Sequence, residues 1–258
     1  LNSMQFNLSR VVGPMIAGLA IGTLGESACF TLNGVSFIAI LVPLAMLPPL
    51  PRSRRRPRSA WIDLRSGLRY AGRHPLIPQL LAIAAAIAIF GTPAVTMAPL
   101  FARRLLGVGP EGLGGMLTAV GLGAVATALM MASRGDFGKK GFGVLLASSG
   151  FVVALAGFAL SRSYPLSLAF LALLGASMTS MASLVNTLIQ KNAPDRMRGR
   201  VLSLYAVAWL GLVPIGTLQA GAVAERFGAR ESLLAGAVVI TLTLVVVRLV
   251  RPLPGEAE

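Results

Sequence analysis

Four polar residues in one long apolar segment have the spacing of a single helix face. This polar stripe consists of Thr179, Ser183, Asn186 and Gln190. Their separations of three and four residues place them on one side of an α-helix. Hydroxyl and amide groups in such a row either hydrogen-bond to a neighbouring helix or line a water-filled path. Both alternatives stay open at this point, and the second would give a binding surface for a small, weakly polar molecule.

A second candidate group surrounds Pro93 in another apolar segment, and it consists of Phe90, Thr92 and Thr96. One aromatic ring and two hydroxyls suit amphipathic or hydrophobic solutes better than sugars or multiply charged ions. Two further residues, Trp209 and Gln219, stand in a later apolar segment. Residues of these types at such places more often pack against a neighbouring helix.

No residue set in the sequence has the spacing of an enzyme active site or a metal site. The one histidine, His74, has no cysteine or carboxylate at ligand spacing, and Cys29 is the only cysteine. A phosphate-binding Gly-x4-Gly-Lys-Ser/Thr sequence is missing as well. All nine acidic residues fall outside the apolar segments, so no carboxylate is placed to transfer protons inside a membrane. We expect no enzyme activity, no metal and no cofactor.

The elements that position these residues are predicted to be membrane helices. Apolar residues make up 55% of the 258 residues and charged residues only 12%, whereas soluble proteins contain about 25% charged residues. Eight segments reach the length of roughly 20 apolar residues that a membrane-spanning helix needs. They lie near residues 4–24, 28–49, 77–100, 112–132, 142–160, 165–189, 200–222 and 232–250. The predicted fold class is therefore all-α, a polytopic membrane protein.

Basic residues are divided unequally between the two sides of the predicted bundle. When the connections are assigned alternately, one side receives seventeen lysines and arginines and the other five, with Arg10 left in the first segment. Cytoplasmic loops contain the excess of basic residues, so we expect a multi-pass protein of the cell (inner) membrane with both termini in the cytoplasm. The net charge of +14 is explained by these loops, and we expect no nucleic-acid partner.

The one long connection, residues 51–76, is predicted to be a basic linker followed by a helix on the membrane surface. Its apolar residues Trp61, Leu64, Leu68 and Ala71 recur at helical spacing, and Arg65, Arg69 and Arg73 fall on another face. This pattern is typical of an interfacial amphipathic helix. The linker divides the chain into residues 1–50, with two helices, and residues 77–258, with six helices and a short tail.

A glycine pattern suggests that the unequal parts are related. Gly13, Ala17, Gly18 and Gly25 have the same spacing as Gly216, Ala220, Gly221 and Gly228, which follow 203 residues later. Parallel repeats are common in transporters. If both halves contain six helices, four helices would precede the first residue of this sequence, and residues 1–50 would be the last two helices of the first half.

Three short motifs resemble one known family. The residues Arg10-Val-Val-Gly-Pro-Met-Ile-Ala-Gly18 are similar to a helix-five motif associated with antiporters. The loop at 134–140 resembles a degenerate copy of the motif G-x-x-x-D-R-x-G-R-R, with Phe137 where the motif has arginine after aspartate. Residues 194–201 are similar to the motif P-x-x-x-R-G-R-V of exporters. By these motifs the whole chain resembles the major facilitator superfamily, in particular its drug and siderophore exporter branch.

The resemblance implies helices 5–12 of a twelve-helix fold that works as a monomer in the lipid bilayer by alternating access. In that fold helices seven and ten face a central cavity, which would place Phe90, Thr92, Thr96 and the polar stripe around a small-molecule substrate. Protons are the candidate coupling ion, and their carriers would lie in the four helices expected before this sequence. The alternatives are an importer of the same fold, a subunit of a membrane permease and an inactive fragment.

The resemblance also suggests two conformational elements. Arg10, Gly13, Pro14 and Gly18 would form the helix-five motif, whose glycines allow close helix packing and whose proline removes a backbone donor. Asp136 would pair with Arg198 or Arg200 across the cytoplasmic face and stabilise one conformation. A loop charge fully exposed to water is the alternative for Asp136, because exposed ion pairs contribute little.

Overall fold

The described part of the protein is entirely helical. The structure, a computed structural model, describes residues 31–46, 60–134 and 140–250. Its helices are α1 (Thr31–Ala45), α2 (Ala60–Arg73), α3 (Ile77–Leu105), α4 (Pro110–Arg134), α5 (Lys140–Leu160), α6 (Tyr164–Asn192), α7 (Asp195–Phe227) and α8 (Ala229–Val250). Six of them, α3 to α8, are long and apolar enough to cross a membrane. The predicted all-α, polytopic fold class is confirmed, and the segment predicted near 4–24 lies outside the described residues.

Helices α3 to α8 pack into one bundle with a continuous apolar core. Helix α6 packs against α4 and α5, α5 also contacts α8, and α3 lies against α7 and α8. The largest fully buried side chains include Phe101, Phe151 and Phe158. Large apolar side chains such as Leu146 and Leu160 are exposed on the outside of the bundle, as a surface in contact with lipid requires.

Helix α1 lies within the segment predicted at 28–49 and is apolar around its whole circumference. Its side chains are exposed, including Leu32, Phe37 and Leu44. A helix of this composition is stable only against lipid or other apolar helices.

Helices α4 and α6 cross at two glycines. A methyl group on Gly175 would overlap the carbonyl group of Val120, and one on Gly123 would overlap that of Ala172. Because glycine has no side chain, the backbones of the two helices come into direct contact at these positions. This is the close approach by which small residues join membrane helices.

Helix α2 packs against the start of α7 through small residues. Gly67 and Ala71 are buried, and Gly67 faces Arg200 Cβ and Leu204 Cδ1, each 3.4 Å from where its own Cβ would be. Leu64 and Leu68 are exposed. The sequence places Leu64, Leu68 and Ala71 on one side of the helix, and its position on the membrane surface stays a prediction. Small residues fit between two helices at close range, and Leu64 and Leu68 lie beside this contact and are exposed.

Candidate substrate site at two broken helices

Helix α3 is interrupted near its middle, where the backbone changes its hydrogen bonds. Ile77–Phe90 is regular, and the Ile87 carbonyl then accepts from the amides of both Gly91 (2.8 Å) and Thr92 (2.9 Å). A short turn, Pro93–Thr96, follows, and a π-helical turn, Phe101–Leu105, ends the helix. The interruption lies fourteen residues into a segment of 29, so it falls near the centre of a membrane span.

Two carbonyl groups lose their normal helical donors at this break. Pro93 has no N–H for the carbonyl of Ile89, and the amide of Ala94 donates to Gly91 (3.2 Å) instead of Phe90. Glycines of two other helices approach these carbonyls. A methyl group on Gly216 of α7 would overlap the carbonyl of Ile89, and one on Gly236 of α8 would overlap that of Phe90.

The hydrogen of each glycine occupies the position of that missing methyl group. It is therefore directed at the carbonyl oxygen, which makes a Cα–H···O contact. The break in α3 is held on two sides by helices that reach its backbone.

Helix α7 has its own interruption within its span. A π-helical turn, Val207–Gly211, begins twelve residues into a span of 33 and precedes Pro214. This turn packs directly against Ile77–Phe90 of α3. π-Helical turns and discontinuous membrane helices are frequent at functional sites. Here the π-helical turn of α7 lies against the regular part of α3, before the break, and the following segment Val213–Phe227 lies against the break at Pro93–Thr96.

An aromatic pair connects the interruption of α7 to α6. The rings of Tyr205 and Trp209 are stacked with centroids 6.3 Å apart. Tyr205 is buried, and its hydroxyl donates to the carbonyl of Ala182 at 3.4 Å. Trp209 is half-buried. Tyr205 was not predicted from the sequence, although the separation of four residues between two aromatic residues could have indicated a pair on one helix face.

The polar stripe of α6 lies on the side of the helix opposite to its buried face. Ser183 and Gln190 are exposed, Thr179 and Asn186 are half-buried, and the buried face includes Met181. The amide of Gln190 donates to the side-chain oxygen of Asn186. This hydrogen bond joins two of the four members of the stripe.

Depth separates the members of the stripe. Gln190 is two residues from the end of α6, whereas Thr179 is thirteen residues away, which is roughly 20 Å along the helix. Thr179 is therefore the member closest to the middle of the span, and the bonded amide pair lies near one membrane surface.

The hydroxyls of the α3 group bond to their own helix. Thr92 Oγ1 donates to the carbonyl of Ala88 at 2.6 Å, and Thr96 Oγ1 donates to that of Pro93 at 3.1 Å. Phe90 is half-buried. Within the described residues no hydrogen bond joins this group to the polar stripe, so a shared cavity stays a prediction.

The predicted latch and the helix-five motif are mostly outside the described residues. Asp136 belongs to the undescribed loop, as do Arg10, Gly13, Pro14 and Gly18 to the undescribed start of the chain. Arg198 forms an ion pair with Asp195 at 2.8 Å, one turn earlier in the same helix. Arg200 Nη1 contacts Met197 Sδ at 3.5 Å. The latch stays a prediction, and Asp136 would have to compete with Asp195 for Arg198.

The four positions of the second glycine pattern, Gly216, Ala220, Gly221 and Gly228, differ in their surroundings. Gly216 reaches α3, and the carbonyl of Ala220 accepts a buried hydrogen bond from Ser232 Oγ at 3.0 Å. Gly228 ends α7 with a φ of 109°, which favours glycine. Gly221 is exposed and has open space around it. Packing and a turn therefore explain three of the four positions.

Among the described residues no group of His, Cys, Asp or Glu could hold a metal ion.

Comparison with known proteins identifies the family. Residues 1–258 match the family described as transmembrane secretion effector. The enterobactin exporter EntS of Shigella flexneri is 27% identical over 98% of this chain, and EntS of Escherichia coli is 26% identical over 98%. The multidrug efflux pump Tap of Mycolicibacterium fortuitum is 27% identical over 89%. The chain covers 62% of each EntS protein and 57% of Tap. With its bundle of apolar helices and this match over its full length, the chain belongs to the transmembrane secretion effector family of major facilitator transporters.

Proposed function

We propose that this chain forms the larger part of a secondary transporter that exports a small amphipathic or hydrophobic compound by alternating access. The main support is that two neighbouring helices, α3 and α7, are both interrupted within their membrane spans. Transporters bind substrate near the membrane midplane, at helices that are interrupted there. The names of similar proteins, an enterobactin exporter and a multidrug efflux pump, favour export and a drug or siderophore as substrate.

The proposed substrate surface combines the α3 group with the deeper part of the polar stripe. Phe90 and Thr92 stand at the interruption of α3, and Thr179 and Ser183 are the stripe members farthest from the end of α6. Asn186, Gln190 and Thr96 would form the outer part of this surface. Because its few polar groups are hydroxyls and amides without charge, the surface suits a solute that is largely apolar.

The proposed arrangement of the chain in the membrane follows from the distribution of basic residues among its loops. Residues 1–50 would complete an N-terminal six-helix bundle, residues 51–76 would be a cytoplasmic linker with an interfacial helix, and residues 77–258 would form the C-terminal bundle. Both termini would lie in the cytoplasm, and the protein would be a monomer in the cell membrane. Proton coupling, if present, would depend on carboxylates outside this sequence.

An efflux-deficient host provides the direct test. Cells that express the chain, or a gene that encodes it with its natural flanking sequence, are loaded with a panel of amphipathic dyes and drugs, and cellular accumulation is measured. Export predicts lower accumulation of at least one compound than in cells with an empty vector. Higher accumulation would favour import by the same fold. Unchanged accumulation of the whole panel with the longer gene would contradict transport of this compound class.

Two pairs of variants test the proposed surface. Ser183→Leu would place a large apolar side chain on the stripe, and its control is Ser149→Leu at an exposed serine in α5. Thr92→Val removes a hydroxyl that donates to a carbonyl four residues earlier, and its control Thr241→Val removes the same contact from α8. We expect altered substrate preference in the first member of each pair and not in the second. Equal effects within both pairs would contradict the assignment.

A further inference from the structure

We propose that α2 binds the head groups of anionic phospholipids. The binding surface has two parts. Its arginine face consists of Arg65, Arg69 and Arg73, and its apolar edge consists of Leu64 and Leu68. This proposal is independent of the transported compound.

Contacts place α2 at one end of the bundle. Gly67 packs against Arg200 near the start of α7, and the hydroxyl of Tyr70 reaches the carbonyl of Asn192 at the end of α6 (3.5 Å). The first span begins at Ile77, four residues after α2 ends. Three ends of membrane-spanning helices therefore meet α2 on the same side. A helix in this place lies at the level of the lipid head groups.

The arginine face points away from the bundle. Its residues are separated by four positions, which puts them on one side of α2, and all three are exposed. The buried residues Gly67 and Ala71 are on the other side. In the described part of the chain none of the three arginines forms an ion pair, and the described acid near the start of α7, Asp195, pairs with Arg198. Among the described residues no carboxylate balances their positive charge, which leaves it available to an anionic partner.

The apolar edge identifies the class of that partner. Leu64 is 38% exposed and Leu68 is 55% exposed, directly beside the arginines. A free anion would neutralise the arginines and leave the leucines in water. A phospholipid provides phosphate oxygens for the guanidinium groups and acyl chains for the leucines. Anionic lipids also attract basic residues near a membrane surface, with roughly 1 kcal/mol for each lysine or arginine.

Titration of the purified full chain in mild detergent with phosphatidylglycerol tests the proposal. Bound lipid is counted by native mass spectrometry, and thermal stabilisation gives the apparent affinity. We expect the triple variant Arg65→Gln, Arg69→Gln, Arg73→Gln to lose roughly 100-fold in affinity. Triple replacement by lysine keeps the charge and should retain most of the binding.

The control variant Arg103→Gln, Arg104→Gln removes exposed arginines at the opposite end of α3, and we expect its affinity to match the unaltered chain. Melting temperatures without added lipid show that each variant is folded. Phosphatidylcholine should bind much more weakly than phosphatidylglycerol, and added salt should weaken binding of the latter.

Two results would overturn the proposal. One is equal affinity of the triple glutamine variant and the unaltered chain for phosphatidylglycerol. The other is a pure anion site, in which inorganic phosphate displaces the lipid completely and Leu64→Ser, Leu68→Ser leaves its affinity unchanged. Weaker lipid binding by the leucine variant, with no displacement by phosphate, would support a phospholipid site.

Discussion

Replacement of Gly216 by alanine should loosen the contact between α7 and α3. The new methyl carbon would lie 2.7 Å from Ile89 Cα and closer still to the carbonyl oxygen of Ile89. Carbon atoms pack at about 3.5 Å or more, so the helices must separate by nearly 1 Å. Overpacking of this kind costs about 1–3 kcal/mol, and a lost Cα–H···O contact adds about 0.5–1 kcal/mol.

Alanine also has a higher helix propensity than glycine, and this difference offsets about 1 kcal/mol of the loss in stability. The expected net loss of stability is therefore about 0.5–3 kcal/mol, or a decrease of roughly 1–12 °C in the melting temperature for a chain of this size. Thermal unfolding of the purified protein in detergent, followed by size-exclusion chromatography, measures this shift.

Gly221 is the matched control, because it belongs to the same helix, is exposed and has open space at its Cβ position. Gly221→Ala should leave the melting temperature unchanged or raise it. Equal melting temperatures for Gly216→Ala and Gly221→Ala would refute the close contact. A decrease for Gly221→Ala alone would show that Gly221, and not Gly216, lies on the face of α7 that packs against a neighbouring helix.

Three further predictions concern single contacts. Gly123→Ala should destabilise the protein by at least 1 kcal/mol, seen as a lower melting temperature, because its methyl carbon would lie 2.6 Å from the carbonyl carbon of Ala172. Ser232→Ala should cost about 1 kcal/mol in the same assay through loss of the buried bond to the Ala220 carbonyl. The third prediction concerns pH. Burial lowers the pKa of His74 from its ordinary value of 6.5, and its Nδ1 accepts from the amide at the start of α3 (3.2 Å). Stability should be complete above pH 6.5 and decrease as the pH falls below it, because the unfolded chain takes up the proton first. His74→Ala should abolish this dependence in melting curves recorded from pH 5 to 8.

Hydropathy predicted the described membrane helices well because a span must be apolar over its whole length. The ends were less accurate. The segment predicted at 200–222 is part of Asp195–Phe227, since the polar first turn of α7 is helical although it is too polar to be recognised by hydropathy. The contact of α7 with Gly67 of α2 was not predicted, because it joins two segments that are far apart in the sequence.

The candidate site was predicted only in part. Polar spacing identified the stripe of α6, but the irregular backbone of α3 at Pro93 was not predicted. The hydrogen bond of Tyr205 to Ala182 was missed because it joins two different helices, and the π-helical turn of α7 was missed as well. The sequence by itself determined a helical membrane protein, its family motifs and the periodic faces of its helices, which are local properties of composition and spacing. Only the tertiary structure decided that the interrupted helices α3 and α7 are neighbours and that Gly216 and Gly236 reach the carbonyls of Ile89 and Phe90 in α3. A glycine in the sequence looks the same whether it faces a backbone, as Gly216 does, or open space, as Gly221 does, and packing alone distinguishes them.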